Sequence, residues 1–157
     1  MKKILIATDG SPSAVEALEF GLDLAGEEEA EAIVVHVVPS VESIPAGSYG
    51  MAQAAIVHEV TGADREPLEQ AVELAAEKGL PVTTELLVGS TIAEITGYAD
   101  HCDVDLIVVG SRGHGMLTNA LLGSVSLGVL RHTERPVLVV RGHSAKPLEA
   151  RTPAGVA

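Results

Sequence analysis

Short apolar runs of strand length alternate with stretches whose apolar positions recur every three or four residues. Residues 3–8 (Lys-Ile-Leu-Ile-Ala-Thr) are β-branched and unbroken, the pattern of a strand buried on both faces. Ser11-Pro12-Ser13 then opens a helix, with proline suited to the first turn and Ser13 to Glu16 at capping-box spacing. Along this helix Ala14, Leu18, Leu22 and Ala25 share one face, and Glu16, Glu19, Asp23 and Glu27 another. Residues 32–38 form a second buried strand, ended by Pro39. The same reading predicts strands over 82–88, 104–109 and 136–141, and helices over 64–78, 91–100 and 124–132. Gly79 and Pro81 stop the second helix. Ser90 and Thr91 cap the third, with Thr91 to Glu94 again at capping-box spacing.

Five apolar strands alternating with helices predict an α/β fold: a doubly wound, five-stranded parallel sheet with helices on both faces. Ligands of such sheets lie at the carboxyl ends of the strands, where the winding reverses. If the strands at 3–8 and 104–109 are central neighbours, the loops after Thr8 and Val109 form that crevice. Residues 39–63 are too long for an ordinary connection and predict a mobile surface loop, with a helical turn near 51–59. Residues 142–157 lack an apolar period and read as a disordered tail, which leaves one domain over 1–141.

Composition narrows this picture. Of 157 residues 46% are hydrophobic and only 2% aromatic, so a single aliphatic core is expected. No apolar run reaches the ~18 residues of a membrane span, and the first apolar stretch meets Asp9 too soon for a secretory signal. The single Cys102 offers no disulfide and suits a reducing cytoplasm. The net charge of −12 disfavours nucleic acid and acidic membranes as partners. Residues 1–109 hold four basic and 20 acidic residues, whereas 110–157 hold six and two. One basic segment on an acidic body points to a small anionic ligand; an accidental basic end of a solvated surface gives the same count.

The candidate chemistry lies in that segment. Gly110-Ser111-Arg112-Gly113-His114-Gly115 follows the fourth strand, and Gly123-Ser124-Val125-Ser126 opens the last helix. Glycines let the main chain approach a ligand closely, and a helix N-terminus offers unpaired N–H groups to an anion. The hydroxyls of Ser124 and Ser126 can add donors, and Arg112 adds a fixed positive charge. Together they predict a phosphate cradle, against the plainer reading of turning glycines and a capping serine.

The spacing Gly110-x2-Gly113-x9-Gly123-Ser124 resembles the nucleotide-binding signature of the universal stress protein family. The likeness extends to the opening Lys-Ile-Leu-Ile-Ala-Thr-Asp-Gly-Ser, to His36-Val37-Val38, to residues 105–111 and to residues 135–140. It covers about residues 2–141, and the complete signature is similar to that of the ATP-binding branch. The resemblance implies a Rossmann-like sheet of the adenine nucleotide alpha hydrolase type. It also implies ATP held with Mg2+, and a nucleotide-dependent sensor or regulator of stress in the cytoplasm.

By the same resemblance, Asp9 sits beside the ribose and the metal–phosphate region, although an Asx turn before Gly10-Ser11 explains that residue equally. Val37 reads the adenine edge with its main chain, or is plain core. Ala7 and Val109 flank the base and sugar. Gly110, Arg112, Gly113, Gly123, Ser124, Val125 and Ser126 surround the phosphates, Val125 through its main-chain N–H alone. Family members pair as homodimers through their last strand, here 136–141, and an apolar edge strand needs covering in any case.

Competing sites fail on spacing. There is no Gly-x4-Gly-Lys-[Ser/Thr], no Gly-x-Gly-x-x-Gly after the first strand and no acid cluster beside Asp9. The six histidines are not paired at zinc spacing. His114 lies in the cradle, as an exposed loop side chain or as a donor. No serine is recognisably paired with a base. A slow ATPase or nucleotidyl hydrolase, with weak turnover at most, is the alternative to a binder. A structural interaction module without nucleotide is the other.

Overall fold

A computed structural model describes residues 1–42, 56–57, 59–112 and 122–141. Strand β1 (Lys3–Ala7) lies at the middle of a five-stranded parallel sheet, between β2 (Glu31–Pro39) and β6 (Leu106–Gly110). The edges are β5 (Val82–Gly89) beside β2 and β7 (Val137–Val140) beside β6, so the order is β5-β2-β1-β6-β7. The predicted neighbours are therefore neighbours: Ile4 to Ala7 pair in register with Leu106 to Val109. The winding reverses between β1 and β6, which puts the crevice of a doubly wound sheet there.

Helices α1 (Pro12–Glu27) and α2 (Glu66–Glu77) cover one face, and α3 (Thr91–His101) and α4 (Ser124–His132) the other. Side chains alternate between faces along each strand. Ile4, Ile6, Val34 and Val108 pack under α1 and α2, whereas Leu5, Ile33, Val35 and Ile107 pack under α3 and α4. Ile4, Leu5, Ile6, Leu18, Leu22, Ile95 and Ile107 are fully buried, each worth roughly 1.5–3 kcal/mol of burial free energy. None of the helices among the described residues is long and apolar enough to cross a membrane.

Three local expectations are corrected. Ser11, not Ser13, caps α1: its Oγ accepts from the Ala14 N–H at 3.4 Å and Pro12 takes the first helical position. Ser90 caps α3 without a side-chain hydrogen bond, so Thr91 is inside the helix and Thr91–Glu94 is no capping box. Within 39–63, a two-stranded antiparallel pair joins β3 (Val41–Glu42) and β4 (Ile56–Val57), where a helical turn was expected around 56–57. Ala63–Arg65 is a single 3-10 turn leading into α2. The rest of 43–58, and the tail 142–157, lie outside the described residues.

Two contacts brace the fold from opposite ends. At the amino ends of the strands, Asp105 Oδ2 accepts from the Lys2 and Lys3 N–H groups at 2.6 and 2.9 Å, and these bonds hold its carboxyl below the usual range. Nearby, Arg135 donates to Asp100, Asp103 and the Val104 carbonyl. At the carboxyl ends, Gly110 approaches the first turn of α1 so closely that a Cβ there would lie 2.7 Å from the Ser13 carbonyl oxygen.

Replacing Gly110 with Ala is expected to destabilise the protein by roughly 1–3 kcal/mol, because two backbones must separate. Gly97→Ala, on an open face of α3, should instead stabilise by about 0.5–1 kcal/mol. Denaturant unfolding of both variants checks the pair. Because the folded-state pKa of Asp105 is depressed, its contribution is complete above the unfolded value and is lost as pH falls. Asp105→Asn should therefore flatten the loss of stability as pH falls through and below the ordinary carboxylate range, read by unfolding midpoints.

Candidate functional site

A cleft of about 950 Å³ opens at the carboxyl ends of β1, β2 and β6. Ala7, Val35, Val37 and Val109 line its apolar part, together with Ile95 of α3. Each is where it is because a strand ends there. β1 pairs with β2 only as far as Ala7 opposite Val35, while β2 runs on to Pro39. Val35 faces β1, since its carbonyl accepts the Thr8 N–H at 2.9 Å. By the two-residue alternation of a ladder, the Val37 main chain points the same way, into the gap beyond the end of β1. Its side chain is buried in the core. Both readings of Val37 are thus compatible: apolar packing below, exposed ladder groups at the cleft.

The turn after β1 carries Asp9. Its Oδ1 accepts from the Ser11 N–H at 2.9 Å, the Asx-turn reading, and the residue also lines the cleft. Thr8 Oγ1 accepts from the Gly10 N–H at 3.2 Å, and Gly10 takes φ +74°. The Nδ1–H of His36 donates to the Thr8 carbonyl at 2.8 Å, tying the end of β2 to this turn.

Across the cleft, Gly110 ends β6, Arg112 follows it, and Gly123 to Ser126 open α4. Here the geometry refines the predicted cradle. Gly110 is glycine because α1 occupies the space of a Cβ, not because a ligand does. The Gly123 N–H donates to the Ser111 carbonyl at 2.6 Å, and the Ser126 hydroxyl donates to the Gly123 carbonyl at 3.0 Å. These two donors hold the loop and are committed within the protein. What remains is the first turn of α4. Its N-cap, Gly123, has no side chain to satisfy the following N–H groups, and the ladder begins with Leu127 N–H to Gly123 carbonyl. Among the described residues, the amides of Ser124, Val125 and Ser126 are therefore the orphan donors of a helix N-terminus, with the helix dipole behind them. Arg112 is exposed at the same end, its N–H bonded to Ser13 Oγ at 3.3 Å. Gly113 and His114 lie outside the described residues.

One wall was not legible beforehand. Asp64 and, from α2, Glu66, Glu69, Gln70 and Glu73 line the cleft opposite α4. Their spacing of three and four residues is visible in the sequence, but a solvated helix face has the same pattern. The basic segment, conversely, does not gather at the cleft: Arg135 is paired at the far end of the sheet, and among the described residues Arg112 is the cation in the cleft wall. Among the described residues no three His, Cys, Asp or Glu side chains are grouped to hold a metal ion.

Known proteins share this architecture. A universal stress protein of Methanocaldococcus jannaschii, MJ0531, is 36% identical over 143 residues, covering 89% of this chain and 82% of that one. YxiE of Bacillus subtilis, also a universal stress protein, is 37% identical over 145 residues, covering 88% and 98%. Among solved structures, a universal stress protein in complex with cAMP aligns with TM-score 0.66 at 24% identity, over 88% of this chain and 95% of that one. One from Archaeoglobus fulgidus in complex with dAMP aligns with TM-score 0.63 at 23% identity, over 89% and 98%. At that identity these two structures establish the fold. The model of the universal stress protein family matches residues 1–141, and with the relatives above this shows that the chain belongs to the universal stress protein family.

Proposed function

We propose that this protein binds an adenine nucleotide, ATP in the first instance, and acts in the cytoplasm as a nucleotide-dependent stress regulator. The observation that carries the reading is the set of first-turn amides at Ser124, Val125 and Ser126 beside Arg112, at one end of a cleft with an apolar floor. An anion fits the amides, and a planar base fits the apolar floor of Ala7, Val37 and Val109. The open main chain of Val37 supplies one donor and one acceptor to a base edge. A volume of about 950 Å³ accommodates a nucleotide. Two solved proteins of the same fold hold cAMP and dAMP, which supports the same ligand class here.

In this reading Ala7 and Val109 flank base and sugar, and Asp9 lies toward the ribose. The amides of Ser124 to Ser126, with Gly110, Gly113 and Gly123 shaping the loop, surround the phosphates. No protein cage for a divalent ion exists among the described residues, so Mg2+ travels with the phosphate oxygens and Asp9 is the side chain that can complete its shell. The regulatory output passes through a homodimer and its partners. Edge strand β7 supports this: all four of its residues are only half-buried, leaving a flank of the sheet for a second copy to cover.

Mass spectrometry of the small molecule released on denaturing freshly purified protein tests the reading, with an adenine nucleotide expected. Repeated absence, together with no binding of added ATP, overturns it. Arg112→Ala should weaken ATP by about tenfold and adenosine by much less, since one charge-assisted contact of about 1.5 kcal/mol is removed from the phosphate end. Equal weakening of both ligands, measured by calorimetry, contradicts the role given to Arg112.

A further inference from the structure

The two ends of the cleft carry opposite charge. Arg112 and the dipole of α4 mark one end. Asp64, Glu66, Glu69 and Glu73 mark the wall opposite, and Asp9 lies on the turn between. Among the described residues, five carboxylates thus share the lining with one guanidinium. The segments 43–58 and 113–121 add no Lys, Arg, Asp or Glu to this set.

The acidic wall is also held in place. Leu68, Ala71 and Ala75 anchor the other face of α2 in the core, which fixes the rotation that turns Glu66, Glu69 and Glu73 to the cleft. Pro67 packs over Gly10, with its Cγ 3.4 Å from where a Cβ of that glycine would stand. Helix α2 therefore leans on the same turn that carries Asp9 and cannot swing its carboxylates away without opening the core.

We propose that this face of α2 makes the cleft select its nucleotide by charge, so that a free triphosphate is disfavoured against a monophosphate and ATP enters as its complex with a divalent cation. The inference rests on the nucleotide reading and adds which residues discriminate. The amides and Arg112 attract any phosphate. Every added phosphate charge is repelled by the whole wall, because Coulomb energy falls only as the inverse of distance. A monophosphate brings about two negative charges, and a triphosphate about two more. A bound divalent cation cancels that difference. Glu66, Glu69 and Glu73 are exposed, so the penalty is greatest at low ionic strength and shrinks as the Debye length contracts to about 8 Å at physiological salt.

Calorimetric titration of the full chain with AMP and with ATP, in chelator and then in excess Mg2+, tests this. In chelator at about 25 mM salt, AMP is expected to bind at least about threefold tighter than ATP, and the ratio should fall toward one at about 300 mM. Glu69→Gln with Glu73→Gln should narrow the low-salt ratio by at least about twofold by tightening ATP, while AMP changes less. Glu27→Gln with Glu77→Gln removes the same charge away from the cleft and should leave the ratio unchanged. Mg2+ should tighten ATP in the unmodified protein more than in the Glu69/Glu73 variant. The inference is overturned if metal-free ATP binds as tightly as AMP, or if the cleft and control variants shift the ratio equally. No binding of either nucleotide in any condition overturns the nucleotide reading, and this inference with it.

Discussion

β1 stops opposite Val35 while β2 continues to Pro39, and the site depends on that unequal length. A strand that ends early leaves its neighbour's ladder groups without a β1 residue opposite them, and here that place is Val37. The same ending lets the turn through Asp9 and Gly10 fold over the sheet and start α1. The end of β6 must then pass α1 at backbone contact, which only glycine at 110 permits. From that point the chain reaches α4 with its first-turn amides facing back across the gap. Packing, not a ligand, thus accounts for one of the signature glycines. The proposed anion site belongs to the helix end that the packing presents.

The architecture was legible because each strand is apolar over its whole length and each helix repeats its apolar positions at three and four. Residues such as Ile4, Leu5 and Ile6, buried on alternating faces, can belong only to a covered parallel sheet. The β1–β6 adjacency enters the sequence reading only as a condition, and the register of Ile4 to Ala7 with Leu106 to Val109 meets it. Local chemistry was harder. Ser11 and Ser13 are both good caps flanking Pro12, and the structure gives Ser11 the cap and Ser13 a bond to the loop at Arg112. The donors of Gly123 and Ser126 look available in sequence, yet they close the loop that leads into α4. Such bonds depend on how near a carbonyl lies in space, which spacing along a chain does not encode. The short pair β3–β4 carries no periodicity long enough to read.

Charge shows the same limit. The sequence divides into an acidic body and a basic segment, but the fold redistributes these: Arg135 goes to the base of the sheet, beside Asp100 and Asp103, and α2 brings glutamates to the rim of the cleft. The cleft thus has a short positive end and a long negative wall. Membership of the universal stress protein family agrees with the fold, and the balance of charge around the cleft is read from this chain's own residues.

The central claim is that the unpaired amides of α4 receive the phosphate of a nucleotide, and amide NMR of the 15N-labelled protein tests it most directly. Titration with AMP should move the Ser124, Val125 and Ser126 resonances together and to saturation, at the concentration where calorimetry reports binding. Saturable binding that leaves those three resonances in place, while others shift, would contradict the account.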